Sequence, residues 1–366
     1  MNFKNILFHK KTLWIGLGFL SVLLSMMLPS AFVEQYYSRG VFLGIRYLFA
    51  ALTNWFPVAF VYVLFILLLY FLVKKVTIVR NNKINLRKKA VHFTTSLLAA
   101  IGAVIFFFQF LWGFNYGRIP LETQLELNVN PLDVNDLKVE LDYSIKNMEA
   151  CRRRIIGDEE ESLSRSFMPD NIEDTMRFLL TNNLKKFGYP VSAKVRGRLL
   201  YPKGILLRIS TAGVYIPFTG EGHIDPGLHH LQLPFVMAHE MAHAYGIGGE
   251  GDCNFLAYLS CVHSSNPYLQ YVGYLYYFRY VAPDYRAYRP DEYKEIWANL
   301  PDGIKNDLKA IREEMDKYPD ILPAVRDAAY NTYLKAQGID DGIKNYDRVT
   351  MLAHAWHLKN NQSIDN

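Results

Sequence analysis

Five consecutive residues, His239-Glu240-Met241-Ala242-His243, carry the most specific chemistry in this sequence. On a helix, positions i and i+4 share a face about one turn apart, so the two imidazoles can grip a single ion. Glu240 sits roughly a quarter-turn aside, where its carboxylate reaches a water beside the ion rather than the ion itself. The ion expected is zinc, one per chain. Catalytic zinc takes three protein ligands and leaves a fourth position for water, whose pKa it lowers toward ~7. Glu240 is then the general base that takes the water's proton and hands it to a leaving amine. The reaction expected is peptide-bond hydrolysis. A membrane sensor or scaffold with a purely structural zinc is the rival reading, and it has no need of an acid in that place.

Three residues downstream compete for the third ligand position: Glu250, Asp252 and His263. Gly246, Gly248 and Gly249 let the chain reverse, so a second helix over 250–262 can run back along the first. On that helix Glu250 and Asn254 share a face, continued by the small side chains of Ala257 and Cys261. Glu250 is then the metal ligand, and Asn254 accepts a hydrogen bond from a ligand histidine. Asp252 lies about 200° round from Glu250, so the two cannot both reach the ion. It is the alternative ligand, or a helix N-cap. A helix over the motif is itself expected, since Pro234 suits a first turn and Gly246 a C-terminal stop.

Other residues are smaller candidates. Tyr271 and Tyr274 follow the ligand helix and are phenols available to a developing oxyanion, although in a chain with 25 tyrosines packing is the commoner role. GVYIPFTGEG (213–222) stands where an edge strand could pair with an extended peptide, or where an ordinary core strand would lie. His223, His229 and His230 read as a surface loop. His354 and His357 are spaced for one helix face but have no acid near them in sequence. Cys253 and Cys261 would be about 12 Å apart on one helix, too far to bridge.

These residues need a scaffold. Residues 133–156 and 172–187 have helical apolar spacing. VRGRLLY, GILLRIS and GVYIPFTG are short, branched or aromatic, and separated by Gly or Pro, which predicts a small sheet. From about 285 the pattern is helical again. The fold expected over 118–366 is α+β, one mainly helical domain with a small sheet.

Ahead of that domain the chain changes character. It is 51% hydrophobic and 14% aromatic overall, high for a soluble protein. The uncharged stretches between Lys11 and Glu34, Arg46 and Lys74, and Lys89 and Arg118 each exceed the ~20 residues that a membrane helix needs. Three spans are expected, at about 12–33, 54–73 and 91–113, within a membrane domain over 1–117. Basic residues precede the first run, as in a signal peptide, but its length and the runs after it favour an anchor. The segment from Lys74 to Lys89 holds seven basic residues and no acid. It and the N-terminus therefore belong in the cytoplasm, and 118–366 on the outer side of a bacterial cytoplasmic membrane. The lipid bilayer is thus one partner, and a peptide or protein at the outer face is the expected substrate. The net charge of +5 resides partly in this anchoring and gives no reason to invoke nucleic acid. Almost nothing ionisable besides His92 lies in the spans, which weighs against a transport path.

HExxH followed by Glu, then Asn four residues on, then Phe and Ala (EGDCNFLA, 250–257) resembles the gluzincin metallopeptidases, especially their integral-membrane members. The resemblance implies a zincin-like metallopeptidase domain over 118–366, Glu250 as third ligand, Asn254 in the place of the acid that supports a ligand histidine, and a zinc metalloendopeptidase activity. WGFNYGR (112–118), PFTGEG before the motif, NFLAYLSC after it and YVGYLYYFRY (271–280), together with three N-terminal spans, resemble an uncharacterised bacterial membrane family, domain-of-unknown-function family 3810. That family shares the HExxH core and brings no known substrate.

Overall fold

The computed structural model describes residues 3–81, 86–321 and 348–362. The chain divides into two compact units, Met1–Arg118 with Ile216–Glu221, and Ile119–Tyr215 with Gly222–Asn366.

The first unit is helical. α1 (Phe3–Met27) is followed by α2 (Ser30–Phe32), a π-helical stretch (Val33–Val41) and α3 (Phe42–Thr53), then by α4 (Val61–Asn81) and α5 (Leu86–Leu111). Among the described residues two windows, not three, are long and apolar enough to cross a bilayer: Lys10–Met27 and Ala90–Leu111. The span expected at 54–73 is cut short. Pro57 has no N–H to continue a helix, the chain turns before Val61, and the apolar part of α4 is only Val61–Lys74.

α1 and α5 lie side by side and run the same way. Lys11 Nζ donates to Thr95 Oγ1 at 3.2 Å and Gln109 Nε2 to Ser25 Oγ at 3.5 Å, each pair 84 residues apart, and Gly18 meets Gly102 at that same offset. A constant offset means parallel helices. Contacts at Lys11, Gly18 and Ser25 repeat every seventh residue, the period of a shallow left-handed crossing. At the centre the backbones touch: a Cβ on Gly18 would lie 2.6 Å from the Gly102 carbonyl oxygen. Small residues permit this approach and larger ones forbid it. Glu34, buried beyond the end of α1, accepts from Arg118 at 2.8 Å and from Arg39 at 2.7 Å, so its charge is paired. The buried Glu221 accepts the Phe60 N–H at 2.7 Å.

The second unit is mainly helical with a three-stranded mixed sheet. Its helices are α6 (Leu121–Gln124), α7 (Val134–Ile156), α8 (Ile172–Lys186), α9 (Leu233–Ala244), α10 (Glu250–Val262), α11 (Pro267–Tyr288), α12 (Pro290–Asn299), α13 (Asp302–Met315) and α14 (Arg348–Gln362). The strands are β1 (Arg196–Leu199), β2 (Gly213–Ile216) and β3 (Glu221–Ile224), in the order β1-β3-β2. α7 starts where it does because Asp133 accepts the N–H groups of Asn135 and Asp136 while the Asp136 carboxylate reaches back to Asp133. Its apolar face (Leu141, Met148) joins Met176 and Leu180 of α8 and Leu275 of α11 in one fully buried core.

One expected strand is absent. GILLRIS is a turn, because the buried Asp225 accepts the N–H groups of Gly204 (2.7 Å), Leu206 (2.8 Å), Leu207 (3.2 Å) and Gly227 (2.7 Å). Those donors are spent on one carboxylate and cannot join a ladder; β3 supplies the third strand instead. His223, expected on a surface loop, is therefore inside β3 and fully buried. Burial, with Arg198 nearby, pushes its imidazole down to about 4. Residues 322–347, part of the expected C-terminal helical region, lie outside the described residues, as do positions 82–85 of the basic segment.

The Gly18–Gly102 contact yields a paired test. Gly18→Leu should lower the thermal unfolding midpoint, because overpacking costs typically 1–3 kcal/mol, roughly, and more where the obstacle is backbone. Gly16→Leu, with nothing within 4 Å of its Cβ position, should leave the midpoint unchanged. Equal midpoints for both variants would refute the close crossing.

Candidate metal centre

α9 carries the motif, with Pro234 in its first turn as expected. It ends in a left-handed Gly246 (φ 88°). The Ile247 N–H returns to the Ala242 carbonyl at 3.1 Å and the Gly246 N–H to the His243 carbonyl at 2.9 Å, the Schellman pattern that a left-handed residue completes. Three residues later α10 begins at Glu250 and packs back along α9. The turn also delivers the Ile247 carbonyl to His243 Nδ1 at 2.9 Å. A carbonyl only accepts, so Nδ1 carries a proton, and in the neutral imidazole the lone pair for a metal is on Nε2. Asn254, one turn into α10, accepts from His239 Nδ1 at 2.8 Å and sets the same tautomer there.

The lone pairs converge. His239 Nε2 and His243 Nε2 are 3.2 Å apart, and Glu250 Oε2 is 3.1 Å from the first and 3.5 Å from the second. Zinc bonds of ~2.0–2.1 Å at tetrahedral angles place ligand atoms about 3.3 Å from one another. His239, His243 and Glu250 thus form a group that could hold a metal ion. Burial opposes ionisation of Glu250, yet His243 and His239 hold its carboxyl well below the usual carboxylate range.

Glu240 packs against β2 and β3. A Cβ on Gly213 would lie 2.6 Å from its Oε1, and one on Gly222 2.7 Å from its Cβ, so only glycine leaves room at these two positions. The Tyr215 N–H bonds to its carboxylate. Its Oε2 is buried with no hydrogen-bond partner among the described residues. Burial pushes the carboxyl up to about 7 against the pull of His239 and His243. The group is buried: His239, Glu240, His243 and Glu250 are 9%, 5%, 6% and 5% exposed.

The other candidates lie elsewhere. Asp252 is neither in this group nor an N-cap; Gly249 is the cap, and Asp252 faces Arg348 at 3.9 Å. His263 Nδ1 pairs with Asn183 Oδ1 at 2.9 Å on α8. The Tyr271 hydroxyl donates to Asp307 at 2.6 Å, and Tyr274 packs edge-on against Tyr143 and Tyr258. Neither phenol joins the metal group. His354 and His357 do have an acid, Glu140, 2.9 Å from the Nδ1 of each. Sequence reasoning passed over Cys253, whose Sγ is 3.4 Å from His243 Nδ1, and the two glycines around Glu240. Cys253 was legible as a neighbour of Glu250 on the same helix; the glycines carried no signal for the pairing. All three cysteines are free.

The geometry predicts which variants lose metal. His239→Ala with His243→Ala should abolish zinc binding in a chelator-competition titration, and Glu250→Ala should weaken it by orders of magnitude. Asp252→Ala should retain it. Loss in Asp252→Ala with retention in Glu250→Ala would reverse the assignment of the third ligand.

No curated protein and no solved structure matches the chain. A family model does, and its match begins in the π-helical stretch, takes in the whole metal group and ends within α14 at His354. Matched over residues 37–354, the chain belongs to the family described as Protein of unknown function (DUF3810).

Proposed function

We propose that this chain is a membrane-anchored zinc metalloendopeptidase. The observation that supports it most is the zinc-like spacing of three ligand atoms beside a buried carboxylate oxygen that has no partner among the described residues. His239, His243 and Glu250 hold the ion in this reading. The zinc, when bound, supplies Lewis-acid polarisation of a carbonyl. Glu240 Oε2 accepts the proton of the attacking water and delivers it to the leaving amine. β2, at the sheet's edge and beside Glu240, offers main-chain groups to an extended peptide. The rival reading, a structural zinc in a sensor or scaffold, draws on the site's burial, since structural sites are closed.

The anchor reading draws on the α1–α5 seam. A helix packed along its partner at one offset is suited to permanent residence, unlike a signal peptide that is cleaved away. Because α1 and α5 run in the same direction, both can cross only if the chain between them returns. α4, apolar over Val61–Lys74, lies between them in the chain. The basic segment after Lys74 then lies in the cytoplasm, and the metal-bearing unit meets a peptide or protein substrate at the outer face.

Two outcomes follow. Glu240→Gln, nearly isosteric, should keep zinc and fold while peptide-library hydrolysis falls about 10²–10⁴-fold; undiminished turnover would defeat the enzyme reading. A reporter fused after Asn366 that works only outside the cytoplasm should be active. Activity of a cytoplasm-only reporter at that position would invert the topology.

A further inference from the structure

The geometry points to α14 as the element that fixes the metal-ligand helix. We infer that Arg348, Trp356 and His357 lock α10, and with it Glu250 and Asn254, in the position that binds metal; the inference rests on the metal-centre reading above. α10 presents two adjoining faces. Glu250 and Asn254 lie on one, and Asp252, Phe255 and Tyr258, each three residues after the last, wind along the other.

α14 engages that second face at every turn. Arg348, its first residue, approaches Asp252 at 3.9 Å and also pairs with Glu122 of α6. Trp356 meets Phe255 edge-on, ring centroids 6.1 Å apart. His357 Nε2 lies 3.1 Å from the Tyr258 hydroxyl.

The last contact is directional because of Glu140, a buried carboxylate of α7. His354 Nδ1 and His357 Nδ1 lie 2.9 Å from its two oxygens, and the Tyr277 hydroxyl donates to it at 2.7 Å. An ionised carboxylate only accepts, so His357 carries its proton on Nδ1. In the neutral imidazole Nε2 is then an acceptor for the Tyr258 O–H. A run of bonds thus leads from α7 through α14 to the helix that holds the third ligand. Lys359 Nζ donates to the Leu125 carbonyl at 2.8 Å and secures the far end of α14. A helix that merely filled the core would need none of these oriented groups.

The test is metal affinity and ligand geometry in the full chain, kept well below its unfolding temperature. Zinc affinity is read by chelator competition and geometry by the visible spectrum of the cobalt(II) form. His357→Phe keeps a ring but neither bond, and should weaken metal binding about tenfold, the lower end of what losing a ligand's supporting partner costs, with a shifted cobalt spectrum. His357→Gln, whose amide can donate to Glu140 and accept from Tyr258, should recover most of the affinity. Arg348→Gln should weaken binding in the same direction, and it decides the matter if His357→Phe fails to fold. Wild-type affinity and spectrum in Arg348→Gln, or in a folded His357→Phe, would overturn the proposal, since a structural role alone lowers stability and spares affinity. A glutamine as impaired as phenylalanine would overturn it too. A wild-type chain that binds no metal would instead fail the metal-centre reading itself.

Discussion

The left-handed turn at Gly246 is the constraint on which the metal group depends. It stops α9 one residue beyond the second histidine's turn and points the next carbonyl at that histidine. It also starts α10 close enough for Glu250 to reach both imidazoles. A side chain at Gly246 would strain the backbone there. The consequence would not be local, because the same turn sets the His243 tautomer, the antiparallel packing of the two helices and the position of the third ligand. One backbone conformation thereby fixes three separate requirements of a metal site.

Elsewhere the fold is held by buried carboxylates that gather distant donors. Asp225 binds three N–H groups of the β1–β2 connection and that of Gly227. Asp307 of α13 accepts from Ser162 Oγ at 2.8 Å, the Leu163 N–H at 2.7 Å, the Tyr271 hydroxyl and Arg152. Glu173 of α8, only partly buried, takes its helix neighbour Arg177 and the more distant Arg196. Each such acid is expensive to bury alone and tolerable when its lone pairs are filled. The pattern is directional bonding laid over an apolar core, which specifies where α7, α11, α13 and α14 dock more sharply than packing alone can.

What could be read from the sequence was what repeats locally. HExxH spacing, the Gly-rich reversal and the phase of 250–262 are properties of neighbouring residues. They sufficed to bring Glu250, and not Asp252, to the two histidines, and Asn254 to His239. α7 and α8 followed from apolar spacing in the same way. The failures share a cause, which is that the deciding partner is remote. GILLRIS has strand composition, but Asp225 takes its donors. His354 and His357 lacked an acid in sequence because Glu140 comes 214 and 217 residues earlier. Tyr271 was available as a phenol until Asp307 claimed it from α13. The shortened middle helix is the exception, since Pro57 was in plain view and the absence of charge outweighed it.

The parallel seam between α1 and α5 has a consequence for biosynthesis. The notch at Gly18 has no counterpart until Gly102 has been made, 84 residues later at the offset of the neighbouring pairs. At ~5–20 residues per second α1 waits roughly 4–17 s, with its glycine face unfilled, before its partner emerges. Substitutions along that face would therefore act first on the nascent chain's chance of finding the right neighbour, and only afterwards on the stability of the finished protein.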